Sequence, residues 1–352
     1  MTSTISADNE VIVGVDTHAD QHTAVAIDGL GRRLDSVEIP TTARGYRDLV
    51  RWANTLGRFE RAGVEGCGAY GAGLARHLSK EGIDVVDVDR PNRQWRRRHG
   101  KSDTADAEAA ARAVLAGDAT TLPKVTTGTV EAVRVLHLTR RSAVKAKTQA
   151  GNQIKDLVLT APDALRSQLR DRTTRQRVRI CAAWRPGPVC DPTSAARRAL
   201  HDLARRWQQL DTEIKALEAD LLRLLRELVP SVLAENGAGI DVAAKLVIAA
   251  GENPQRLRSE ASFAALCGTS PVERSSGKQT GHRLNQGGNR QANNALHTVV
   301  LHRWRTCPET RAYIARKRAE GKSDRAIRRC LKRALARRMH RLLIHDLTSC
   351  LT

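Results

Sequence analysis

The chain has 352 residues, 41% of them hydrophobic, enough for two or three domains with cores of their own. Its 59 Lys+Arg against 38 Asp+Glu leave a net charge of +21, which points to a polyanionic partner, because each cation brought to a phosphate releases condensed counterions. No run approaches the ~18 uninterrupted apolar residues of a membrane helix, residues 1–10 show no basic-then-apolar leader, and the seven cysteines contain no C-x-x-C pair. The expectation is a reduced, cytoplasmic protein, with neither structural zinc nor a disulfide framework.

The charge is uneven. Residues 1–90 hold 10 Lys+Arg against 14 Asp+Glu, whereas residues 253–352 hold 21 against 6. An acidic beginning suits metal or chemistry and a basic end suits nucleic acid. In chain order, Val11 to Asp16 is a β-branched run that reads as a buried strand. Thr23 to Ile27 and Arg33 to Ile39 follow as strands, with a turn at Asp28-Gly29, so the three form an antiparallel meander. Ala43 to Leu56 has helical apolar spacing, Ala62 to Glu65 is a fourth strand, Leu74 to Lys80 a helix and Val85 to Val88 a fifth strand. Asp103 to Leu115 is an Ala-rich helix ending before Gly117. Three antiparallel strands followed by strand–helix alternation give the order of an RNase H-like α/β fold, assigned to residues 1–122.

Residues 123–233 read as helical. Leu200, Leu203, Trp207, Leu210, Ile214, Leu217, Leu221, Leu224 and Leu228 alternate in steps of three and four, a heptad seam that predicts a coiled coil. Glu131 to Leu159 is a second long helix and a candidate antiparallel partner, and the segment from Pro162 through Pro186 and Pro188 reads as an insertion or linker. Residues 234–352 form the basic, mainly helical third part. Gly237-Ala238-Gly239 leading into an apolar helix has the form of a helix-hairpin-helix unit, whose backbone amides suit a DNA phosphate. A Ser/Gly/Asn-rich loop, Ser270 to Asn289, precedes helices at Gln291 to Arg303 and Ser323 to Leu343. Lys278, Arg283, Arg328, Arg329, Lys332 and Arg333 are the candidate phosphate contacts beside Gly237 and Gly239.

Four carboxylates stand out. Asp16 ends an apolar strand, Glu65 ends the fourth, and adjacent strand ends would bring the two together. Asp103 and Asp106 are three apart and share a helix face. Each alone reads as a turn residue, a surface acid or a helix cap. Jointly they match the places where an RNase H-like nuclease holds divalent metal, and hard oxygen ligands favour Mg²⁺, with two ions serving phosphodiester cleavage. Ser275-Ser276-Gly277, between Arg274 and Lys278, reads either as a flexible polar loop or as a nucleophile flanked by cations.

In sequence, Val13-Gly14-Val15-Asp16-Thr17-His18, then Val64-Glu65-Gly66 with Tyr70 to Leu74, then Gly100 to Ala107 resemble the acidic-tetrad, RuvC-like domain of insertion sequence 110 family transposases. Leu266 to Pro271, Ser275-Ser276-Gly277 and Asn285 to Arg290 resemble that family's C-terminal serine transposase domain. The resemblance implies a metal-binding tetrad of Asp16, Glu65, Asp103 and Asp106. It implies a covalent phosphoserine link to DNA at Ser276, with Ser275 the neighbouring alternative. It further implies donor and target DNA as substrates, a structured noncoding guide RNA, and dimers that join into tetramers. Two other readings remain at this point. One is a metal-dependent RuvC-like junction-resolving nuclease without the serine step, and the other is a basic DNA-binding protein without cleavage.

Overall fold

The computed structural model describes residues 10–88, 102–124, 127–257, 259–275 and 282–349. They fall into two compact units, one of residues 1–128 with 250–258 and the other of residues 129–249 with 259–352.

The first unit is built on a five-stranded sheet. Strands β1 (Glu10–Thr17), β2 (Gln21–Asp28) and β3 (Arg33–Pro40) form the expected antiparallel meander. Helix α1 (Ala43–Leu56) leads to β4 (Arg58–Glu65), α2 (Ala72–Lys80) leads to β5 (Asp84–Val88), and α3 (Asp103–Leu115) follows. The sheet order is β3-β2-β1-β4-β5, with β4 parallel to β1 and β5 parallel to β4. The central strand β1 is apolar on both faces because helices cover both. Val11, Val13 and Val15 pack with Leu49, Ala53, Leu74 and Leu78 of α1 and α2. Ile12 packs with Ala107, Ala110, Ala111 and Val114 of α3 on the opposite face. This is an RNase H/RuvC-like mixed domain.

Gly14 sits where α3 crosses β1. A Cβ there would lie 2.0 Å from the Ala107 carbonyl oxygen and 2.4 Å from the Ala111 nitrogen, so only glycine lets the helix backbone settle onto the strand. Ala107, Ala110 and Ala111 keep the other side of that contact equally thin. The close approach sets the height of the α3 N-terminus over the end of β1.

The second unit is mainly helical. Helix α4 (Thr129–Thr160) runs antiparallel to α7 (Pro192–Leu228), joined by ion pairs at Arg140–Glu218 (2.6 Å) and Lys147–Asp211 (2.8 Å). The segment between them is not a linker. Helices α5 (Asp163–Leu169) and α6 (Thr174–Ala182) bury Leu169, Val178 and Cys181 against Ile154 and Val158 of α4 and Leu200 and Ala204 of α7. The heptad seam is covered from one flank. Leu200, Ile214, Leu221 and Leu228 are buried together with Ala204 and Leu225, while Leu203, Leu210, Leu217 and Leu224 stay half-buried.

Helix α8 (Pro230–Leu233) is a single turn whose first amides, Ser231 N and Val232 N, donate to the buried Asp346 carboxylate. A turn through Gly237, at φ +85°, then enters α9 (Ile240–Ala250). Helix α10 (Glu260–Leu266), a small hairpin of β6 (Pro271–Glu273) and β7 (His282–Leu284), and helices α11 (Arg290–Thr306), α12 (Pro308–Ala319) and α13 (Asp324–Ser349) complete the unit. Among the described residues no helix is long and apolar enough to cross a membrane.

Replacing Gly14 by Ala forces a side chain into the α3 backbone. The expected result is a loss of about 3 kcal/mol, at the upper end of overpacking costs, read as a drop in the denaturation midpoint. Wild-type stability in the Gly14→Ala variant would mean that α3 does not rest on β1 this closely.

Candidate metal centre and basic cleft

Asp16 is the next-to-last residue of β1 and points to the α3 face of the sheet, alternating with the Val13 and Val15 side chains. Glu65 closes β4 beside it, and Thr17 Oγ1 donates to the Glu65 carbonyl (2.8 Å), tying the two strand ends together. Asp103 and Asp106 lie in the first turn of α3, started by the Ser102 hydroxyl accepting from Ala105 N (3.2 Å). Carboxylates there are favoured by the helix dipole. Asp16 and Asp106 are buried, whereas Asp103 is exposed.

The four acids come into one field. Burial pushes the Asp16 carboxyl up to about 6, and the charges of Glu65, Asp103 and Asp106 push it in the same direction, with His18 opposing them. Converging anions of this kind need a counter-charge. Ligand-capable atoms of Asp16, His18 and Asp103 lie within 4.8 Å of one another, and His18 Nε2 is 3.6 Å from Asp103 Oδ1. The donor set is oxygen-rich with one imidazole, which fits a divalent cation such as Mg²⁺ or Mn²⁺. Glu65 and Asp106 stand outside that tightest trio but inside its electrostatic reach. His18 is the residue that sequence reasoning missed. Its signal was its position two residues past Asp16, just beyond the strand.

The basic residues divide differently from the expectation. Arg283, Arg329, Lys332 and Arg333 all line one cleft at the base of the β6–β7 hairpin. Lys332 is not a surface cation as its sequence context implies. It is 9% exposed, with its ammonium on Asn293 Oδ1 at 3.0 Å. Arg328 is outside the cleft, its guanidinium 5.3 Å from the Trp304 ring centroid. Gly237 holds the left-handed turn before α9, and the Gly239 carbonyl accepts the helix-starting bond from Ala243 N. Ser276 and Lys278 lie outside the described residues. Ser275, the last described residue before them, donates to Glu273 Oε1 (3.0 Å).

The raised Asp16 value has a definite sign. Its folded pKa of about 6 exceeds the ordinary 3.8, so between these values the folded state binds more protons. The Asp16 contribution is therefore favourable below about pH 4 and is lost as pH rises through about 6. In metal-free protein, the melting temperature of Asp16→Asn should match wild type near pH 4 and exceed it above pH 6. Millimolar Mg²⁺ at pH 8 should raise wild type and leave Asp16→Asn unmoved. Parallel pH profiles for the two proteins would contradict this electrostatic account.

Residues 13–161 match a family model described as transposase (DEDD_Tnp_IS110), and all four acids fall inside that match. No curated protein sequence matches the chain. Residues 232–315 match a second model, described as transposase of the IS116/IS110/IS902 family, which takes in the hairpin turn and the serine loop but stops short of α13. An RNase H-like sheet with clustered acids, followed by a helical unit matched by the second model, identifies the chain as a member of the IS110 family of transposases, enzymes that act on DNA.

Proposed function

We propose that this transposase cuts and rejoins DNA strands through a covalent phosphoserine at Ser276, with Asp16, Glu65, Asp103 and Asp106 holding divalent metal, Mg²⁺ in the cell. The observation that carries the reading is the packing of the buried Asp16 against the charges of Glu65, Asp103 and Asp106 at the ends of β1, β4 and α3. Such crowding is costly to a fold and useful to a metal centre. When bound, the ions would supply charge neutralisation at the phosphate oxygens and favour ionisation of the attacking hydroxyl.

The residues of the chain divide the remaining work. The carboxylates fix the ions, and the His18 imidazole beside Asp103 adds a nitrogen donor or a hydrogen-bond partner at the exposed side. The Ser276 oxygen attacks phosphorus, a Ser–O–P bond forms, and the P–O bond to the DNA sugar breaks. The serine proton ends on the departing sugar oxygen. The reverse attack by a sugar hydroxyl from the other DNA partner reseals the strand and returns the serine. Energy is conserved through the ester, so no nucleotide cofactor is required.

The division of labour follows the three segments read from the sequence. Residues 1–122 hold metal, residues 123–233 mediate self-association, and residues 234–352 bring the serine and grip DNA, with the Gly237–Gly239 turn as one phosphate contact. The half-buried Leu203, Leu210, Leu217 and Leu224 flank supports the self-association role, since α4 leaves it incompletely covered. A homodimer that assembles into a tetramer would supply both halves of each active site. The family resemblance adds a structured RNA from the mobile element as the guide that pairs with donor and target DNA.

Ser276→Ala should abolish the denaturation-resistant protein–DNA adduct and recombination while DNA and RNA binding persist. Adduct formation in Ser276→Ala but not in Ser275→Ala would transfer the role to Ser275. Metal-dependent cleavage that leaves free ends in both variants would favour a RuvC-like nuclease. Replacing Leu210 and Leu217 together by Asp should lower the mass measured by light scattering to that of the monomer. An unchanged mass would remove the α7 flank from the assembly.

A further inference from the structure

The second unit holds a cleft of about 570 Å³ whose wall carries five cations, Arg283, Arg329, Lys332, Arg333 and Arg337. Only part of this charge is answered. Glu260 pairs with Arg337 (2.9 Å) and reaches Arg333 (3.4 Å). Among the described residues, no carboxylate lies within ion-pair distance of Arg283, Arg329 or Lys332, and Arg333 Nη1 is buried without a hydrogen-bond partner.

Lys332 is the telling group. An ammonium carries three donors, and a buried one is normally paired with an anion. Among the described residues Lys332 has one acceptor, Asn293 Oδ1, which is neutral. That amide cannot turn over, because its NH₂ group donates to the Cys267 carbonyl (2.8 Å) and the Gly268 carbonyl (3.1 Å). The Cys267–Gly268 turn is itself locked. A Cβ on Gly288 would lie 2.2 Å from Gly268 N, so the Asn285–Asn289 loop is packed directly on it. Burial and the nearby Arg329 charge both hold the Lys332 ammonium below its usual range. Thr269 N and Ser270 N both donate to the Ala264 carbonyl, so these two amides are not free to donate into the cleft. The cleft is thus a cationic cavity whose deepest charge has no counter-ion among the described residues.

We propose that this cleft is a binding site for a phosphodiester group of a DNA strand, seated on Lys332 with Arg329, Arg333 and Arg283 around it. A phosphodiester is a compact anion with two free oxygens, and it matches an ammonium flanked by guanidinium groups, whose planar forks span two phosphate oxygens. A DNA strand is the occupant because the cleft lies between α13 and the β6–β7 hairpin, lined by Pro271 and Arg283 of the two strands whose connection contains Ser276. The choice of DNA rests on the phosphoserine reading above. The anion site itself does not. None of Arg329, Lys332, Arg333 and Arg337 falls within the matched family segments.

The test uses the full-length protein and inorganic phosphate at constant ionic strength, with chloride as the reference. Wild type should melt higher in phosphate than in chloride, as a ligand that binds only the folded state requires. Lys332→Met keeps the stem and removes the charge. In chloride it should melt at or above wild type, because an uncompensated buried charge is gone, and its phosphate response should disappear. Arg329→Gln should retain a reduced response. A Lys332→Met protein that melts lower in chloride and still responds to phosphate would show a purely structural lysine and overturn the proposal.

The second arm measures binding of a short single-stranded DNA and of RNA of the same sequence. Lys332→Met should weaken DNA about tenfold, the order expected for one charged hydrogen bond to phosphate. Weakening confined to RNA would overturn the assignment of DNA. Ser276→Ala, run alongside, should keep the full phosphate response. If wild type forms no DNA adduct, the serine reading fails, while the phosphate response still decides the cleft.

Discussion

The first unit depends on how near one helix backbone can come to one strand. Gly14 has no side chain, and α3 faces it with alanines, so the helix lies almost directly on β1. That contact is a packing feature in the first instance. Its consequence is electrostatic, because the first turn of α3 carries Asp103 and Asp106 and the end of β1 carries Asp16. Parallel pairing of β4 with β1 adds Glu65 to the same edge. A larger residue at position 14 would separate the acids without touching any of them.

Once assembled, the acids work against the fold that assembles them. Asp16 is desolvated and surrounded by like charge, and its carboxyl is displaced upward as a result. The core beneath absorbs this strain, since β1 is sealed on both faces by Leu49, Leu74, Ala107, Ala111 and their neighbours. The second unit repeats the theme with opposite sign. There, α13 holds Lys332 under cover against a neutral amide, and a cavity stands in front of it. In both units the fold keeps charge where charge is unfavourable, which is the usual mark of a surface shaped for a charged ligand.

Much of this was legible in the sequence, and the residues show why. The meander, the parallel strands and α3 were readable because β-branched runs and Ala-rich helical spacing differ in period. The convergence of Asp16 and Glu65 followed from each ending an apolar strand, and that of Asp103 and Asp106 from their spacing. His18 had a weaker signal, its place two residues past Asp16, because a polar residue just past a strand also reads as a turn. Helices α5 and α6 were hidden by their arginines and flanking prolines, although Leu169, Val178 and Cys181 are core residues. The heptad seam was visible in α7, but periodicity cannot say which flank a partner covers. The depth of Lys332 was invisible for a similar reason, because α13 carries arginines all round and burial there is decided by α10 and α11.

The central claim is that Asp16, Glu65, Asp103 and Asp106 jointly hold divalent metal. Crystals grown with Mn²⁺ and measured for anomalous scattering test it most directly. The account predicts anomalous peaks within coordination distance of Asp16 and of at least two of Glu65, Asp103 and Asp106, lost in the Asp16→Asn protein. Manganese bound elsewhere, or an empty cluster at saturating Mn²⁺, would contradict it.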